Sequence, residues 1–567
     1  MRDPIAATIS RMTLEEKVGQ LFVTYAYGAS ATTTDPEDVR RNRETHGVDN
    51  AAQLVDRYRL GGVVHFAWSR NVNDPRQVAE LSNGLQRAAL RQPVPIPLIV
   101  ATDQEHGIGT RIGPPATQLP GNMALGAGRS VEDAYTAARI GGAELAAVGV
   151  TQNFAPVADV NVNPLNPVIG VRSYGEDTAL VAGLTAAQVR GYQDAATGAT
   201  VKHFPGHGDT ATDSHTGLPV IDHTREEWRR IDAPPFEAAV EEHVDMVMTA
   251  HVVVPALDPS GDPATLSGPI VSGVLRERLG YDGVVSTDAL GMAGVRRTYG
   301  DDRVPVLALQ AGVDILVMPP DLGLAYDGVV RAVRSGQVSE RRLDRSVSRI
   351  LALKLSQGLF QHPYVDVDAL ESVESVESTV GTARHRATAQ AISDRTVTLV
   401  ANGADLLPLP RPPRDVLVTG WGETATAAVA EAFGRRGCAA AAHPTGSEPA
   451  RQDIGTAVEA ARGRELTVVT TNQAWRLAAQ RELVGALAVT GTPVVVVAVR
   501  DPYDIARFAE APTALATYSH SCVSLESAVR VMLGEVCPTG RLPVTIREAG
   551  DRGAVLYRYG HGLSYPG

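Results

Sequence analysis

The 567-residue sequence is poor in cysteine, in clustered positive charge and in long hydrophobic runs. Its three cysteines, Cys438, Cys522 and Cys537, lie far apart in the last third of the chain. A set so small and odd excludes a disulfide framework and has no zinc-ligand spacing, which leaves the three as packing residues. There is no block of Lys and Arg, and 52 basic residues against 64 acidic ones give a net charge of −12. That is the opposite of the footprint that binds nucleic acid or an anionic membrane. No apolar run approaches the ~20 residues needed to cross a bilayer. The opening MRDPIAATISRMTLEEKVGQLF reads as an amphipathic helix, without the apolar stretch and small-residue cleavage site of a signal peptide. A cytoplasmic location is expected, with secretion the alternative where a leader has already been removed.

What is present is an ordinary globular composition, 44% apolar and 20% charged. At ~150 residues per domain the length predicts three or four units, or two if one is a large α/β barrel. From residue 20 to about 318, short β-branched or apolar runs alternate with helical stretches. They are GQLFVTY, GVVHF, PLIVATD, GVTQNFAP, ATVKHF, DMVMTAH, GVVSTD and VDILVM. Such runs are strands buried on both faces of a parallel sheet, and eight of them predict a (β/α)₈ barrel over residues 1–365. An acidic, Ser-rich stretch over 366–384 reads as a linker. Fewer strands then alternate with Ala-rich helices, predicting a smaller α/β sandwich over 385–567.

A barrel of this kind carries its active site at the strand C-termini. Polar residues collect where the apolar runs stop: Asp103 after PLIVATD, Arg172 in the loop after GVTQNFAP, Lys202 and His203 ending ATVKHF, and Asp288 ending GVVSTD. The densest segment is KHFPGHGDTATDSH, 202–215, where Pro205, Gly206 and Gly208 force a turn. His203, His207, Asp209 and His215 are competent metal ligands, but their spacing matches no tight metal pattern, and neither a metal nor another cofactor is expected. Asp213 and His215 also stand two apart, so in an extended segment the carboxylate can orient and charge-stabilise the imidazole for acid/base work. His207 and Asp209 read as catalytic or as braces of the loop. His251, ending TAH, reads as a support behind the site residues or, by preference, as a packed strand-end residue. DVLVTGWGETA at 415–425 has the G-x-G-x-x-A form of a dinucleotide fingerprint, but the acidic residue expected ~20 positions later is missing, so it reads as a tight strand-to-helix turn.

Together KHFPGHGDTATDSHTGLP, STDALGM (286–292), DQEHG (103–107) and GVRSYGED (170–177) resemble glycoside hydrolase family 3, in particular its bacterial β-N-acetylglucosaminidase branch. RMTLEEKVGQLF, RILALKLSQGLF, DLLPLP, PTGRLPVT and YGHGLSYP extend the resemblance along almost the whole chain. It implies an exo-acting, retaining enzyme that releases terminal N-acetylglucosamine (GlcNAc) from cell-wall fragments or related β-glycosides. Asp288 would be the nucleophile, and His215 with Asp213 the acid/base in place of a second carboxylate. Asp103, Arg111, Arg172, Lys202 and His203 would bind sugar hydroxyls, and Lys202, Arg172 and Arg111 would keep Asp288 ionised. One departure from the family pattern is His106, where the motif DQEGG has glycine; a larger side chain there would reshape the sugar subsite. The alternatives are a β-N-acetylglucosaminide phosphorylase, because a histidine acid repels phosphate less than a carboxylate does, and a β-glucosidase-type family 3 enzyme. The expected partner is a small carbohydrate, and the residues do not fix an oligomeric state.

Overall fold

The computed structural model describes residues 4–213, 217–367, 379–403, 405–508, 511–548 and 553–565. All eight expected strands of the first part form: β1 (Phe22–Thr24), β2 (Gly62–Val64), β3 (Ile99–Thr102), β4 (Gln152–Asn153), β5 (Gly198–Phe204), β6 (Met246–Thr249), β7 (Val284–Thr287) and β8 (Leu316–Val317). Each pairs in parallel with its sequence neighbours, and β1 pairs with β8 through Phe22↔Leu316 and Val23↔Val317. A parallel bridge, Ser286↔Ile315, joins β7 to β8 and completes the ring. These strands are buried along their length, which is why they read as continuous apolar runs rather than as alternating ones.

The opening amphipathic segment is two short helices, Pro4–Ile9 and Leu14–Gly19, rather than one. Thr13 accepts from the Glu16 backbone N–H while Glu16 accepts from that of Thr13, a capping box that starts a new helix in mid-segment.

The C-terminal unit is a six-stranded sheet of β9 (Thr398–Asn402), β10 (Asp415–Gly420), β11 (Ala439–Pro444), β12 (Leu466–Thr471), β13 (Val494–Ala498) and β14 (Thr513–Ala516). The order is β11-β10-β12-β13-β14-β9, with β9 alone antiparallel. Strand β11, the alanine run AAAAHP, is an edge strand that composition alone does not reveal. The glycine-rich turn after β10 follows from packing: a Cβ on Gly420 would meet the Thr470 carbonyl oxygen at 2.3 Å. Of the three cysteines, only Cys438 is buried; Cys522 and Cys537 are exposed, contrary to the expectation of packing roles.

The two units share a hydrophobic cluster in which Met123, Ala124, Ala127 and Val171 of the barrel join Ile505, Tyr518, Leu542 and Val544. Polar contacts reinforce it at the loop after β4. The Glu176 backbone N–H donates to the Pro543 carbonyl at 3.0 Å, the Thr545 hydroxyl donates to Glu176 at 2.6 Å, and Asn161 Nδ2 donates to the Tyr503 hydroxyl at 3.2 Å. The second unit thus clamps the loop that carries Asp159 and Arg172.

Candidate active site

The strand C-termini surround a cavity of about 430 Å³. Lys202, at the end of β5, is 2% exposed, and its Nζ lies 2.7 Å from Asp103 Oδ1 and 2.6 Å from Glu105 Oε1. A buried ammonium is costly unless paired, and here two carboxylates from the β3 loop flank it and raise its pKa against the effect of burial. Glu105 also takes a two-pronged contact from Arg172, with Nε to Oε2 at 2.8 Å and Nη2 to Oε1 at 2.9 Å. Burial works to raise the Glu105 pKa, but Arg172 and Lys202 outweigh it and hold the carboxyl well below its ordinary range. Four charged groups from β5 and from the segments after β3 and β4 therefore form one network along the cavity wall.

A second buried carboxylate, Asp159, is fully enclosed and organises the β5 end. It accepts from the backbone N–H of His203 at 3.2 Å and of His207 at 2.8 Å, and from His203 Nδ1 at 2.7 Å. A carboxylate only accepts, so Nδ1 of His203 carries a proton, leaving Nε2 near the Arg172 guanidinium at 3.4 Å and toward the cavity. His207 also lines the cavity, and burial pushes its pKa down to about 4.

Asp288 follows β7 and is partly open to the cavity but otherwise surrounded by protein. Its Oδ1 accepts from the Ala289 N–H at 2.6 Å. Burial works to raise its pKa, but the charges of His203 and His251, the Ala289 N–H and Lys202 together hold the carboxyl below the usual aspartate value. Lys202, one of the cations expected from the sequence to keep Asp288 ionised, is among these groups. His251 is more than a packed strand-end residue. Its Nε2 donates to the Ala289 carbonyl at 3.1 Å and its Nδ1 meets Thr265 Oγ1 at 2.8 Å, so it braces the turn that presents Asp288.

Two family profiles match the chain: "Glycosyl hydrolase family 3 N terminal domain" over residues 13–353 and "Glycosyl hydrolase family 3 C-terminal domain" over 397–565. The chain belongs to glycosyl hydrolase family 3. Beta-hexosaminidase A of Pseudoalteromonas piscicida is 35% identical over 70% of this chain and 69% of that protein. A beta-N-acetylglucosaminidase/beta-glucosidase of Cellulomonas fimi is 29% identical over 72% and 68%. The solved structure of a glycoside hydrolase family 3 beta-N-acetylglucosaminidase from Paenibacillus sp. str. FPU-7 is 36% identical. It superposes with a TM-score of 0.85 over 94% of this chain and 99% of that one.

In this family 3 hydrolase, Asp103, Arg111, Arg172, Lys202, His203 and Asp288 all line the one cavity. Asp213 is described but lies outside the lining, and His215 falls outside the described residues. Among the described residues, no group of three or more His, Cys, Asp or Glu is placed to hold a metal. Of the loop's would-be ligands, His203 pairs with Asp159, while Asp209 pairs with His223 Nε2 at 3.0 Å. His223 Nδ1 in turn meets Asp232 at 2.7 Å, so one imidazole bridges two carboxylates at the base of the loop.

His106 is not among the residues that line the cavity. It adopts the left-handed region (φ 61°) and turns its ring away from the cavity onto Gly141, where a Cβ would come within 2.5 Å of Nε2. Burial pushes its pKa down to about 4, so it is a neutral wedge under the β3 loop. Glu105 and Asp159 are polar residues that the sequence reading left unassigned. Glu105 stands inside DQEHG, two residues from Asp103, and that proximity was the available signal.

Proposed function

We propose that this protein is an exo-acting, retaining β-N-acetylglucosaminidase that releases terminal GlcNAc from β-glycosides such as cell-wall fragments. The observation that carries the reading is Asp288: a carboxylate kept ionised on a cavity wall otherwise furnished with hydroxyl-binding groups. That is the requirement for a nucleophile facing an oxocarbenium-like transition state. The relatives named for β-hexosaminidase and β-N-acetylglucosaminidase activity support the sugar assignment, as does the 202–215 loop.

In the first step an Asp288 oxygen bonds to the anomeric carbon as the glycosidic C–O bond breaks, and the departing oxygen takes a proton from His215, which Asp213 orients. In the second step His215 takes a proton from water, whose oxygen displaces Asp288 and returns the β-configured sugar. Asp103 accepts from hydroxyls on the non-reducing side. Lys202, Arg172 and Arg111 donate to ring hydroxyls, and His203 Nε2 adds a further polar contact.

The test is a panel of nitrophenyl β-glycosides of GlcNAc, glucose and xylose, run with and without inorganic phosphate. Free GlcNAc at a rate indifferent to phosphate is expected. Phosphate-dependent release of GlcNAc-1-phosphate would replace hydrolase with phosphorylase, and preference for glucose would replace the sugar.

A further inference from the structure

The loop after β3, residues 103–121, is far longer than the ~2–6 residues usual for a βα loop. It carries Asp103, Glu105 and Arg111 to the cavity. Its near limb is pinned from within. Gln104 Oε1 accepts from the backbone N–H groups of Arg111 and Ile112 at 2.7 and 3.0 Å. The Gln104 main chain also exchanges bonds of 2.9 and 3.0 Å with the Asn153 carboxamide at β4.

The far limb is held from outside, by Glu144 on the helix Val131–Ala147. This carboxylate is buried and accepts from the Thr117 N–H at 2.7 Å and from the Thr117 hydroxyl at 2.6 Å. Gly141, which receives the His106 ring, lies about one turn earlier on the same helix, so the helix supports the loop at two points.

Glu144 does not serve the barrel alone. Its Oε1 accepts from the Gly381 N–H at 3.0 Å and meets His385 Nδ1 at 2.8 Å. A carboxylate only accepts, so Nδ1 is the donor. His385 stands on the helix Ala383–Asp394, whose Gln390 donates to Ser527 of the C-terminal unit at 2.7 Å. Gly381 itself presses on the loop: its backbone is left-handed (φ 64°), and a Cβ there would meet the Pro115 carbonyl oxygen at 2.0 Å. Burial works to raise the Glu144 pKa, but the bonds from His385, Thr117 and Gly381 hold the carboxyl below its ordinary value. One ionised group thus receives four donors from two different units.

We propose, resting on the glycosidase reading above, that Glu144 is a positioning residue that couples the seating of the C-terminal unit to the sugar-binding geometry of the β3 loop. Glu144 lies outside the cavity lining, so it acts through Thr117 on the limb that leads back to Arg111. Strands β3 and β7 stand opposite each other in the eight-stranded ring. Loss of the joint therefore displaces groups that hold the sugar while Asp288, after β7, keeps its place. The signature is a rise in KM rather than a fall in kcat.

The test measures both constants on nitrophenyl β-GlcNAc for wild type, Glu144→Gln, Thr117→Val and His385→Ala, with a thermal melt of each. A carboxamide keeps the shape of Glu144 but sets an NH₂ group against part of the donor set. For Glu144→Gln, KM about tenfold higher with kcat within about threefold is expected. Thr117→Val and His385→Ala should each raise KM in the same direction by less, and they carry the test if Glu144→Gln fails to fold. His385 bonds to the loop only through Glu144, so removing it from Glu144→Gln should add nothing further. A fall in kcat at unchanged KM, or a lowered melting temperature with both constants unchanged, overturns the proposal and leaves the glycosidase reading intact. A wild-type enzyme inactive on the glycoside removes that reading and this one with it.

Discussion

Arg172 and Glu105, 67 residues apart in sequence, meet through two nearly parallel hydrogen bonds of 2.8 and 2.9 Å on the wall of the active-site cavity. Since Lys202 shares the same carboxylate, Glu105 fixes the positions of two cavity-lining cations at once. Glu105→Gln keeps the shape and removes the charge. Leaving two buried cations short of a partner costs ~3–5 kcal/mol, so a fall of about a hundredfold or more in kcat/KM is expected on nitrophenyl β-GlcNAc. A thermal melt on the same sample separates this loss from unfolding, and near-wild-type turnover would show that Glu105 does not organise the site.

The bridge Asp209–His223–Asp232 holds the base of the loop that carries Asp213. Hydrogen bonds to the two carboxylates push the His223 pKa up to about 10, above its ordinary 6.5. A base with a raised folded-state pKa contributes stability that is complete below the unfolded value and lost as the pH rises through the folded one. The gap in melting temperature between wild type and His223→Gln should therefore be widest at pH 6 and below, and should close toward pH 10. A gap that widens with rising pH would contradict a cationic His223.

His215→Ala probes the proton donor. Leaving groups that depart readily as anions need little protonation, whereas sugars need it fully. The variant should lose ~10²–10⁴ in rate on the GlcNAc disaccharide and far less on nitrophenyl β-GlcNAc. Equal losses on both would remove the acid role. Asp213→Asn should shift the same balance in the same direction, to a smaller extent.

The barrel was legible because its strands are buried on both faces, so apolar runs such as PLIVATD and GVVSTD stop where the reactive residues begin. Six of the proposed site residues could be read from that rule and from the motifs. Strand β11 was not legible, because alanine favours helix and an edge strand leaves little burial pattern. Glu105 and Asp159 escaped because their partners come from other loops, and the value of a buried carboxylate lies in who pairs with it. His106 misled for a related reason: sequence placed it beside Asp103, but its left-handed backbone turns the ring toward Gly141.

The central claim is that Asp288 forms a bond to the sugar. Incubation with a slowly turned-over 5-fluoro-GlcNAc fluoride, followed by digestion and mass mapping, reads this directly. One added sugar is expected on the peptide containing Asp288, and none in Asp288→Asn. A sugar mapped to a different residue, or a wild-type enzyme that turns over without ever carrying one, would contradict it.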